Sequence, residues 1–135
     1  MKTRIIIILL AITFLNCNED KSEITELKVM NVVLIDEGHV SHEFTFNTES
    51  IGDTLRCYTF AIIHSGDTIK SINASVNNQK VIIDVITSPN DFDCLESSCF
   101  TLGKIVFDIV GLKEGVYKTS LFVNNGEIGV FDIYY

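Results

Sequence analysis

Polar and apolar residues alternate along most of this chain with a period of two, the signature of strands buried on one face. Residues 24–35 put Leu27, Val29, Val33 and Ile35 on one side, and Asp36, Glu37 and Gly38 turn the chain. Residues 40–46 place Val40, His42, Phe44 and Phe46 opposite Ser41, Glu43 and Thr45, which predicts a half-buried second strand. Residues 54–64 are almost continuously apolar and predict a central strand. Residues 68–76 gather Ile72, Ala74 and Val76 on one face with polar residues opposite, and predict an edge. Residues 81–86, 105–109, 117–123 and 127–135 complete the set, the last two joined by Asn124, Asn125 and Gly126, a strong hairpin signal. No run of helical period interrupts them. About eight short strands at regular spacing predict a sandwich or a barrel, and the short connections predict antiparallel pairing.

Two stretches depart from this rhythm. Residues 88–103 hold the only proline, Pro89, and form a connection longer than most in compact domains, a length that often marks a functional loop. The first 15 residues begin with Lys2 and Arg4 and continue as an apolar run from Ile5 to Leu15. This is the layout of an export signal, and it is short of the roughly 20 residues that a membrane-spanning helix needs. It ends at Cys17, followed by Asn18, Glu19 and Asp20.

That ending resembles the lipobox of bacterial lipoproteins. Leu15 and Cys17 match the pattern, while Asn16 stands where Gly, Ala or Ser is usual. The resemblance implies cleavage before Cys17, a diacylglycerol on its sulfur and an acylated amine. Several acyl chains together hold a protein on a membrane where one does so only marginally. The expected organisation is a signal peptide over residues 1–16, a lipidated cysteine and tether over 17–25, and one β domain over 26–135. Asn18, Glu19 and Asp20 resemble the acidic tags that send some Gram-negative lipoproteins to the outer face of the outer membrane. Surface exposure is the corresponding expectation.

Cleavage leaves 119 of the 135 residues, enough for one domain with its own core. It also removes Lys2 and Arg4 but no carboxylate, taking the formal charge from −8 to −10. Such a surface repels phosphate backbones, so nucleic acid is excluded as a partner. Three cysteines then remain in an oxidising compartment: Cys57, Cys94 and Cys99. Cys94 and Cys99 are candidates for a small disulfide ring, which contributes only about 2 kcal/mol in the chain-entropy model. Cys57 lies in an apolar strand and reads as a buried small hydrophobe, and the pairing among the three stays open.

Residues 112–126 resemble the end of an immunoglobulin-like domain. There a tyrosine at the start of the penultimate strand bonds its hydroxyl back to the preceding corner, and Tyr117 holds that place after Leu112 and Gly115. The resemblance implies a single immunoglobulin-like antiparallel β-sandwich of about seven or eight strands. It speaks for fold and not for function. The chain has no tryptophan, so the antibody signature is missing.

Candidate chemistry is sparse. Three steps along a strand aim His39 and His42 to opposite faces, which disfavours a zinc pair, and they remain the candidates for the metal-binding alternative with Asp91 and Asp93. Asp91, Phe92, Asp93 and Glu96 make an acidic loop that is the candidate ligand region, without the glycine-centred order of a calcium hand. No nucleophile elbow, phosphate loop or His-Glu-x-x-His motif occurs. The expected function is a non-enzymatic binding or accessory module on the envelope, with no cofactor and no metal, and with a protein or glycan partner. The alternatives are a structural subunit joined through sheet edges and a small metal-binding protein.

Overall fold

The computed structural model describes residues 23–38, 45–88 and 100–135. Cys17, His39, His42, Asp91, Phe92, Asp93, Cys94, Glu96 and Cys99 lie outside the described residues, as does the expected signal segment. Among the described residues the protein is all-β. Its strands are β1 (Thr25–Asp36), β2 (Phe46–Ile51), β3 (Thr54–His64), β4 (Thr68–Asn77), β5 (Lys80–Ser88), β6 (Phe100–Val110), β7 (Val116–Val123) and β8 (Gly126–Tyr134). They form one sheet in the order β2-β3-β6-β1-β4-β5-β7-β8, nearly closed into a barrel. Phe46 on β2 and Phe131 on β8 stack at 5.3 Å, so the two outermost strands approach each other through their rings.

Alternation builds the core. Leu55, Cys57, Ala61 and Ile63 point inward from β3, Val81, Ile83 and Val85 from β5, and Ile105, Phe107 and Ile109 from β6. Leu121, Val123 and Ile133 cover them from β7 and β8. Burying side chains of this size stabilises the fold by about 1.5–3 kcal/mol each before the entropy of ordering is counted.

β1 joins the two halves of the sheet. Its first residues, Thr25 to Leu27, pair with Val76 to Ala74 on β4, and the rest, Lys28 to Asp36, pair with β6. Within the stretch paired with β6 the ladder slips between Met30 and Val33, at Asn31, which adopts a left-handed φ of 54°. A bulge of one residue inverts the parity of everything after it. Leu27 is buried and Val29 half-buried as the alternation predicts, but Val33 and Ile35 are 50% and 42% exposed, and Leu34 packs inward instead.

Three further expectations are corrected. β5 and β7 are parallel, with Lys80 beside Lys118 and Val85 beside Val123. The excursion through β6 serves as the crossover that a parallel pair requires, so the sheet is mixed rather than antiparallel. β4 is internal at Ala74 to Val76 and an edge only over its first half. The second strand expected over residues 40–46 falls mostly outside the described residues, and β2 runs on from Phe46. Its polar sequence hides it, and the Gly52-Asp53 turn, with Gly52 at φ 62°, fixes its register by setting Ile51 against Thr54. The connection read as residues 88–103 is also shorter than expected, because β6 begins at Phe100.

Candidate functional site

The bulge at Asn31 is held by charge. The Asn31 side-chain amide donates to the Asp108 carboxylate at 2.7 Å. Arg56 grips both oxygens of that carboxylate through Nε at 2.8 Å and Nη2 at 3.1 Å, a bidentate pair. Asp108 is almost fully covered, its side chain 3% exposed against 36% for Arg56. The bond from Arg56 holds the Asp108 carboxyl below the usual carboxylate range despite burial, with the Asn31 bond and the Arg56 charge adding to it. The same partner holds Arg56 firmly in its charged form. Beside this network the Tyr58 hydroxyl donates to Glu49 at 3.0 Å. Burial first, and then Glu49, push its pKa upward.

From Lys28 onward β1 follows β6 and parts from β4. The space between them is a cleft of about 370 Å³. Val32, Leu34 and Asp36 line it from β1, Ile63 from the end of β3, Asp67 from the following turn and Ile69 from β4. Val32, Leu34 and Asp36 share one face of their strand by alternation, and the shift at Asn31 turns that face toward the cleft. Re-aiming side chains in this way is a common use of a bulge.

Both carboxylates are set by local bonds. Asp36 accepts from the Gly38 amide at 2.8 Å and from the Thr101 hydroxyl. Asp67, only 8% exposed, accepts from the His64 amide and the Thr87 hydroxyl, each at 3.2 Å. Thr87 is fixed in turn by Asn124, whose amide donates to the Thr87 hydroxyl at 2.9 Å and whose carbonyl oxygen accepts the Thr87 N–H at 2.9 Å. Asn124 and Asn125 take φ values of 49° and 65°, as a tight hairpin turn needs. The β7–β8 turn thus steadies the wall of the cleft.

The floor depends on Gly103. A Cβ there would lie 2.6 Å from Ile63 Cδ1 and 2.9 Å from Leu34 Cδ1, so the glycine lets these two side chains close over β6.

Tyr117 was singled out in the sequence and lies at the opposite end of the molecule. It is 8% exposed, and its hydroxyl donates to the Lys113 carbonyl oxygen at 2.9 Å, tying the corner before β7. Cys57 is a free, buried thiol. Among the described residues no group of three His, Cys, Asp or Glu side chains converges in a metal-binding arrangement. The residues that shape the cleft were not read as a site in the sequence. Asn31 inside an apolar run and the Ser65-Gly66-Asp67 turn are the signals that could have found it.

No protein-family model matches the chain, and the comparisons with curated proteins and with solved structures gave no match either.

Proposed function

We propose that the chain is a membrane-anchored lipoprotein of the bacterial envelope, acting as a non-enzymatic binding or accessory module. Lipid on Cys17 holds it to the outer membrane, and the β domain is displayed from that surface. The observation that carries this reading is the run from Lys2 to Cys17, which pairs an export signal too short to span a bilayer with a cysteine at its end. The cleft supports the binding role. It lies toward the end of β1 far from Thr25, where the chain enters the domain, and a strand of this length puts Val32 to Asp36 roughly 25–35 Å from that entry. A partner would thus meet the cleft on the side away from the membrane.

Within the all-β class we assign the domain to the immunoglobulin-like sandwiches. Two features support this: β1 is shared between the two halves of the sheet, and the Tyr117 hydroxyl bonds back to the corner at Lys113.

Fractionation of cells making the full chain tests the anchor. The protein is expected in the detergent phase of a phase-separation assay, and the Cys17→Ser variant in the aqueous phase. A full chain that stays aqueous would overturn the proposal.

A further inference from the structure

We infer that the end of the domain at which the chain enters lies against the lipid surface, with Ile24, Ile51, Val116 and Tyr134 in its interfacial layer. This contact deepens the anchoring proposed above and rests on it.

Topology brings these residues to one end. The β2–β3 turn at Gly52 and Asp53, the corner at Gly111, Leu112 and Glu114, and the last residue, Tyr135, border one hollow. Gly115 and Tyr135 exchange their backbone hydrogen bonds at 2.7 and 3.0 Å. Ile24, just ahead of β1, lies with Asn77, Asn78 and Lys80 of the β4–β5 turn. The Lys118 N–H donates to the Gln79 carbonyl oxygen at 2.9 Å and joins that turn to β7. The point of entry, two turns, a corner and the last residue thus share an end, and the cleft lies toward the other.

The side chains displayed there suit an interface. Ile24 and Tyr134 are 68% and 69% exposed. Val116, beside Tyr134 in the β7–β8 ladder, is exposed too, as is Ile51 ahead of the Gly52-Asp53 turn. Their neighbours Tyr117 and Ile133 are buried, so alternation turns Val116 and Tyr134 away from the core. A tyrosine ring settles at the level of lipid headgroups, and aliphatic side chains beside it reach the acyl boundary. Lys28, Lys80, Lys113 and Lys118 stand at this end with Glu23, Glu26, Asp53, Glu114 and Asp132, a near balance in a chain of formal charge −8. Lysines can lay their stems along the hydrocarbon and keep their charge in water. The end therefore lacks the acidic excess that would drive it from a lipid surface.

The length of the tether selects the occupant. Asn18 to Glu23 separate Cys17 from Ile24, and so few residues span at most about 25 Å. An acylated Cys17 holds this end that close to the bilayer in every molecule. So short a link gives an effective concentration on the order of millimolar, at which a weak contact is well populated. A second copy has no such advantage. Contact here also orients the domain, with the cleft held outward.

The chain has no tryptophan, so a single introduced indole reports its surroundings without background. The test places the full lipidated chain in vesicles of phosphatidylethanolamine and phosphatidylcholine, brominated on the upper acyl carbons. The bromines should quench Tyr134→Trp about threefold or more strongly than Ile62→Trp, an exposed site near the other end of β3. Val116→Asp alters an exposed side chain, so it should keep the melting curve while lowering the quenching of Tyr134→Trp to that of Ile62→Trp. Equal quenching at the two sites would overturn the inference. So would an indole at position 134 that becomes shielded without vesicles as the concentration of the Cys17→Ser protein rises, the mark of a second copy. Flotation reads the anchor separately. A chain that floats with the vesicles but is not quenched rejects the contact alone, and one that does not float rejects the anchor and the contact together.

Discussion

Tyr117 and Cys57 show how far one residue can be read from sequence and what burial then does to it. The Tyr117 hydroxyl would be an orphaned polar group at the edge of the core without the Lys113 carbonyl. Tyr117→Phe keeps the ring and deletes the bond, so urea denaturation should show a loss of about 1 kcal/mol. An unchanged midpoint would mean that the corner is held by packing alone. Cys57 is fully enclosed, and burial, aided by the nearby Asp108 charge, pushes its thiol up to about 12. The thiolate is the reactive form, so iodoacetamide at pH 8 should leave the Cys57 peptide unlabelled in the folded protein and label it fully in denaturant. Prompt labelling in the folded state would contradict the burial. Both residues were legible because their signals are local: a tyrosine two positions after the corner glycine, and a cysteine within an apolar strand. Asn31 was not. A single asparagine in an apolar run looks like an interruption, whereas its left-handed backbone inverts every side chain after it.

At the scale of elements, the strands themselves were readable and their neighbours were not. Alternation marks which face is buried but carries no information on which strand lies alongside. Hence β3 was recognised as deeply apolar, while the parallel β5–β7 pair and the split allegiance of β1 were missed. The cleft follows from that split, so it too was hidden, and the loop residues expected to bind a ligand fall outside the described residues. The Arg56–Asp108–Asn31 network that fixes the bulge should leave a trace in acid. Its carboxyl is held below its unfolded value of about 3.9, so its contribution is complete above that pH and is lost as pH falls through the lower folded value. Urea melts from about pH 6 down to about pH 2.5 should therefore show a steeper acid loss for the native chain than for Asp108→Asn. Parallel curves would remove Asp108 from the account. Gly103 gives a second element-scale check. Gly103→Val drives a branched side chain into Ile63 and Leu34, and should cost about 1–3 kcal/mol in denaturant unfolding. A neutral effect would show that the cleft floor yields freely.

For the whole molecule, the proposed lipoprotein reading sets an anchor at Cys17 apart from a cleft near the far end of β1. On that proposal, loss of Lys2 and Arg4 would make the domain more acidic than the full chain, which favours cationic partners over anionic surfaces. Length and composition predict a single domain, and β3, β5, β6 and β7 supply most of the buried core among the described residues. The most direct measurement is the intact mass of the full chain, expressed with its own signal and purified from membranes. The mass should lack Met1 to Asn16 and carry added acyl chains, and the Cys17→Ser variant should carry none. A chain that retains Met1, or one cleaved there without any added mass, would contradict the anchored module.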